Sequence, residues 1–137
     1  KTIHLIQGDA VVLPIKDNAF DVVIATAIIE HISAPIQLIR EAFRVLRGNG
    51  IFIVTTPHPF WEGIATCIGH LKKEEHHELI TLSKLISLFN TAGFEIVNAE
   101  QFMISPIGMP FELTLEKILK FFRLNFLLLN QIIVGRK

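Results

Sequence analysis

Two short runs of unbroken apolar residues, Val22-Val23-Ile24-Ala25 and Ile51-Phe52-Ile53-Val54, constrain this chain more than any other feature. Neither alternates with polar residues. Each therefore predicts a strand buried on both faces, inside a sheet with helices packed over it. A helix pattern lies between them. Ser33 is a candidate N-cap, and Pro35 suits the first turn, where a missing N–H costs little. Ile36, Ile39, Phe43 and Leu46 recur at helical spacing, and Gly48-Asn49-Gly50 ends the pattern. Strand, helix and strand in this order make a βαβ unit, whose crossover is right-handed.

The flanking segments extend the alternation. Thr2–Gln7 reads as a strand closed by a Gly8-Asp9 turn. Thr81 caps a helix with Leu82, Leu85, Ile86 and Phe89 on one stripe, ended by Gly93, and Phe94–Phe102 reads as a strand. Leu115, Ile118, Leu119, Phe122 and Phe126 mark a last helix before a closing strand over Leu128–Val134. The whole predicts α/β with a largely parallel sheet. A length of 137 residues suits one domain, 1–137, and not two. At 50% hydrophobic and 19% charged residues the chain can fill a core, which excludes disorder as its main state. Its formal net charge of zero gives no global attraction to nucleic acid, so none is expected as a partner. Cys67 is the single cysteine, which excludes a disulfide framework. No apolar run reaches transmembrane length and no secretory layout follows Lys1, so the expected compartment is cytoplasmic.

Ligands in open α/β sheets bind beyond the C-terminal ends of the strands. Three segments arrive there: Gly8-Asp9-Ala10, Thr26 to His31, and Thr55 to His58. Asp9 offers a carboxylate to an exocyclic amine, and Ala10 a backbone N–H unobstructed by a side chain. A plain turn at Gly8-Asp9 is the other reading. Neither GxGxxG nor GxxxxGK[ST] occurs, so no dinucleotide or phosphate-loop fingerprint is claimed. Cys67, His70, His76 and His77 have spacings that fit neither HExxH nor a paired zinc finger, and no metal is expected. Lys117, Lys120 and Arg123 beside Phe121, Phe122 and Phe126 read as a core helix with a charged solvated face. The alternative there is a membrane-surface helix.

The run Gly8-Asp9-Ala10-x-x-Leu13-Pro14-Ile15-x-Asp17-x-x-Phe20-Asp21-Val22-Val23 resembles the middle of class I S-adenosylmethionine-dependent methyltransferases of small-molecule type. It continues with Glu30-His31, Pro35, Glu41-x-x-Arg44-Val45-Leu46-Arg47-x-x-Gly50 and Thr56-Pro57. Ala92-Gly93-Phe94-Glu95-Ile96 and Val134-Gly135-Arg136-Lys137 are similar to the later part of that family. The resemblance implies a Rossmann-like, mostly parallel sheet with helices on both faces and an antiparallel last strand. It implies S-adenosylmethionine as cofactor, with Asp9 at the adenine amine, Ala10 at the ring edge, and Thr26, Ala27 and Ile28 beneath the sulfonium.

Methyl transfer to a small-molecule acceptor follows as the expected activity. His31 and His58 are the candidate bases, since an imidazole titrates near neutrality. Phe60, Trp61 and Met109 are candidate linings of an acceptor pocket, while His76 and His77 read as residues approaching a helix. The family's earlier part, with its Gly-rich loop, has no counterpart here. By the family pattern Lys1 begins at the third strand, so the expectation is a truncated or degenerate domain. The Val22–Ala25 edge would then lack a neighbour, and a homo-oligomer or strand-donating partner would cover it. A non-catalytic scaffold protein is the alternative function.

Overall fold

The computed structural model describes residues 3–61, 80–102 and 111–137. Four strands make one sheet: β1 (Phe20–Thr26), β2 (Leu46–Pro57), β3 (Glu95–Phe102) and β4 (Asn130–Arg136). Three helices accompany them: α1 (Pro35–Val45), α2 (Leu82–Ala92) and α3 (Glu112–Phe121). The strand order is β1-β2-β4-β3. β1 and β2 run parallel, with Val22 opposite Ile51 and Thr26 opposite Thr55, so the expected βαβ unit is present. β4 lies antiparallel to both of its neighbours.

The architecture is α/β with helices on both faces of a central sheet, but the sheet is not mostly parallel. Two of its three ladders are antiparallel, because the closing strand inserts between β2 and β3. The expected strand at Thr2–Gln7 would have added parallel character, and residues 3–8 form none. Ile3 and Leu5 are 84% and 94% exposed. A strand exists only through the neighbour it hydrogen-bonds, and residues 3–8 meet none.

Pro35 stands at the start of α1 as expected, but the N-cap is Ala34, without a side-chain bond, rather than Ser33. The buried stripe of α1 is Leu38, Ile39, Ala42 and Val45, one position round from the expected face. Leu46 is not helical. It opens β2, which carries Gly48-Asn49-Gly50 within the strand instead of ahead of it. α2 matches its sequence signals: Thr81 Oγ1 accepts from the Lys84 N–H (3.3 Å), and Gly93 ends the helix at φ +97°, where a side chain would be strained.

Alternation along the strands sorts the core. Val23 and Ala25 of β1, Phe52 and Val54 of β2 and Ile133 of β4 face α1 and α2. The centre is aromatic: Phe52 stacks on Phe89 with centroids 5.3 Å apart, and Phe94 meets Phe89 at 5.2 Å and Phe43 at 5.0 Å. Gly135 permits this, because a Cβ there would lie 2.7 Å from Phe89 Cδ1. Phe94 is therefore a buried core residue, and β3 begins after it.

The opposite face is more open. α3 reaches it through Lys120 Nζ, which pairs with Glu100 Oε2 of β3 at 2.7 Å. The expected core helix up to Phe126 is not observed: α3 stops at Phe121 and buries none of its residues. The outer edge of β1 pairs with no described residue, and Val22 and Ile24 are exposed along it.

Candidate active site

The site is built where β1 and β2 end together. Ala27 donates its N–H to Thr55 O (3.0 Å), extending the parallel ladder by one step. It does so at φ +49°, an uncommon conformation for alanine, and turns the chain sharply into Ile28. The 3-10 turn Ile29–His31 comes next, with Ile29 and Glu30 buried and His31 exposed.

Across from this turn stands the segment from Asp9 to Asp17. Asp9 Oδ1 accepts the Val11 N–H (3.0 Å) and Asp9 O accepts the Val12 N–H (3.1 Å), so Gly8-Asp9 does form a tight turn. A pair of charged residues on α1 pins the loop beyond that turn. Glu41 Oε2 accepts the Leu13 N–H at 2.9 Å. Arg44 grips Glu41 with Nε (2.9 Å) and Nη2 (2.8 Å) in a bidentate fork. The same guanidinium reaches Leu13 O (3.1 Å), Ile15 O (2.8 Å) and the Asp17 carboxylate (2.6 Å). The Arg44 bonds hold the Glu41 carboxyl below its usual pKa, outweighing the opposing effect of burial.

Pinned in this way, the loop closes over a cavity of about 330 Å³. It runs along the open edge of β1 from Val23 to Thr26, with Ala10, Leu13 and Ile28 on the loop side and Leu38, Ala42 and Phe52 completing an apolar lining. Three of the five expected cofactor residues, Ala10, Thr26 and Ile28, thus meet at one cavity. Asp9 and Ala27 set the turns that carry them and are not in its lining. His31 and His58 are not in its lining either.

His58 lies at the end of β2. Its N–H donates to Leu129 O (2.7 Å) and its Nδ1 accepts the Phe60 N–H (3.2 Å). Burial lowers its pKa. An Nδ1 that accepts must be unprotonated, so the neutral ring carries its proton on Nε2 and presents a donor there.

Beneath the rim runs a buried polar line. Thr56 Oγ1 donates to Glu30 Oε2 at 3.0 Å, both residues being nearly inaccessible. Opposite Thr56 on β4 is Gln131, fully buried. Its Nε2 donates to Pro57 O (3.2 Å) and to Ile80 O, while its Oε1 has no partner among the described residues. Trp61 Nε1 is also buried without one, and the Trp61 ring meets Phe60 edge-on at 5.3 Å. Cys67, His70, His76, His77 and Met109 lie outside the described residues. Among the described residues no group of three metal-ligating side chains occurs.

Sequence reasoning missed three of these roles. Glu41 and Arg44 stand at i, i+3 in the motif, a spacing that signals a pair but not what the pair holds. The signal for Gln131 was its place inside the apolar run Phe126–Val134, where a polar residue demands partners.

A methyltransferase-domain family model matches residues 1–54. A probable S-adenosylmethionine-dependent methyltransferase of Mycolicibacterium smegmatis is 36% identical over 92 residues, covering 66% of this chain and 34% of its own length. The chain therefore spans about a third of the length of the curated relatives it matches there. A methyltransferase of Thermotoga maritima superposes on 98% of this chain and 64% of its own with TM-score 0.73, at 20% identity. One from Archaeoglobus fulgidus covers 96% and 66% with TM-score 0.69, at 16% identity. S-adenosylmethionine is the cofactor these relatives have in common by name. Fold and sequence agree: the chain has the fold of class I S-adenosylmethionine-dependent methyltransferases, and its sequence is similar to a methyltransferase-domain family over residues 1–54.

Proposed function

We propose that this chain carries part of the site of an S-adenosylmethionine-dependent methyltransferase acting on a small-molecule acceptor. The observation that carries the reading is the meeting of Ala10, Thr26 and Ile28 at one apolar cavity beside the C-terminal half of β1. Their chemistry suits a flat heteroaromatic ring: a methyl-sized side chain at Ala10, aliphatic walls, and the Asp9 turn beside them. The Glu41–Arg44 clamp holds that wall in place ahead of binding, which lowers the ordering cost of capturing a ligand. When bound, the cofactor supplies a methyl group on a sulfonium, whose in-line transfer needs alignment and exclusion of water more than acid–base help.

The chain's own residues divide the remaining work. His31, exposed at the end of the 3-10 turn, is the candidate base facing the acceptor. His58 is better suited to donate a hydrogen bond from Nε2 than to take a proton. Glu30, Thr56 and Gln131 are positioning residues that hold the rim from below.

Titration of the chain with S-adenosylhomocysteine, followed by amide and methyl NMR, tests this reading. Shifts should centre on Ala10, Thr26 and Ile28, and Ala10→Trp should abolish them without changing the circular dichroism. Folded protein showing no shift at millimolar ligand would refute it. The unpaired edge of β1, with Phe20, Val22 and Ile24 exposed, favours a second reading as a non-catalytic, strand-accepting interaction protein. That reading gains if the chain binds no cofactor and assembles through the β1 edge.

A further inference from the structure

α3 is built inside out. Glu116 and Lys120 pair with each other at 2.8 Å, and Lys120 reaches Glu100 on the sheet, so the polar side of the helix is the anchored side. The apolar stripe, Phe111, Leu115, Ile118 and Phe122, faces solvent with 84%, 41%, 46% and 64% exposure. These positions are spaced by three and four residues and form one row along the helix. Phe121 widens it on one side and packs edge-on against Phe122 at 5.2 Å. A soluble surface rarely carries so much contiguous apolar area without an occupant.

Charge and area identify the occupant. Lys117 lies one helical turn before Phe121 and Arg123 follows Phe122; both are exposed and enter no ion pair among the described residues. The row together with Phe121 offers on the order of 600 Å², taking about 200 Å² for a phenylalanine ring. That falls short of the roughly 800 Å² per partner that a stable protein pair buries. A phenylalanine-rich row with basic flanks on a short helix matches the requirements of a helix lying in a bilayer interface. We propose that α3 docks this chain on an anionic lipid surface, with the stripe among the acyl chains and Lys117 and Arg123 at the headgroups. The inference stands apart from methyl transfer and does not need the cofactor site.

Flotation of the chain with vesicles of phosphatidylcholine containing about one-quarter phosphatidylglycerol tests it, since each anchoring ring and cation contributes separately. The wild-type chain should float with these vesicles, and much less with pure phosphatidylcholine. Phe111→Ser with Phe122→Ser should reduce binding at least about tenfold. Lys117→Glu with Arg123→Glu should remove the preference for anionic vesicles. All four residues are exposed, and unchanged circular dichroism confirms that the variants fold. No flotation, equal flotation of all variants, or a lipid-independent dimer dissolved by Phe122→Ser would overturn the proposal.

Discussion

Gly135→Ala is the sharpest probe of the core that positions the site. The added methyl would lie 2.7 Å from Phe89 Cδ1, 3.0 Å from Phe89 Cε1 and 3.0 Å from Phe94 Cβ. Phe89 cannot swing away, because its ring is stacked on Phe52 and tilted against Phe94. Overpacking of this kind costs about 1–3 kcal/mol. Phe89→Val removes both ring atoms in the clash and leaves a void, for about 2–3 kcal/mol, below the cost of full truncation to alanine. The space vacated is the space the methyl requires. In the Phe89→Val background, Gly135→Ala should therefore cost markedly less, with only the 3.0 Å contact to Phe94 Cβ remaining. The expected coupling is about 1–3 kcal/mol of mutual relief, far outside the scatter of independent sites. Urea unfolding of the four proteins, read by far-ultraviolet circular dichroism at constant slope, measures it. Costs that simply add would refute the account of why glycine stands there.

Two further expectations concern the site. Glu41→Gln should speed hydrogen exchange at the Leu13 amide about five- to tenfold, as a charge-assisted bond becomes a neutral one; unchanged exchange would show that the clamp does not hold the loop. The pH dependence has a defined sign. The Glu41 carboxyl titrates below its ordinary value of 4.5 because of Arg44, so its contribution is complete above that pH. It is lost as pH falls through the lowered value, and Leu13 protection should fall with it. His58 should titrate below 6.5, since burial disfavours its charged form, with Nε2–H as the neutral tautomer in nitrogen-15 spectra. Stability should then decline as pH drops below 6.5, where the unfolded chain takes up the proton first, and level off once the folded ring protonates. An Nδ1–H tautomer would contradict the Phe60 contact.

How much could be read from the sequence depended on the range of the forces involved. The Thr81 cap, the Gly93 stop and the β1–α1–β2 unit depend on neighbours within a few residues, and the sequence carried those signals. The helix face of α1 was misjudged by one position because Leu46, apolar and in phase, belongs to the next strand. Thr2–Gln7 has the composition of a strand, and composition cannot provide a hydrogen-bonded neighbour. The exposure of α3 was hidden for a related reason. Periodicity reveals that a helix has two faces, but here the Glu116–Lys120–Glu100 bonds decide which one turns inward. In the site, Thr26 and Ile28 close β1 and follow it as the apolar run implies, whereas Ala10 reaches the cavity without the strand expected before it. The Arg44 clamp was not legible, because its partners lie 27 to 31 residues away in sequence.

The Gln131 amide has a consequence for how such a protein diversifies. One side chain on β4 ties the carbonyl where the chain departs from β2 to the carbonyl where it returns towards α2. With both ends moored to the same strand, amino-acid exchanges in the sequence between them need not disturb the register of β2 against β4.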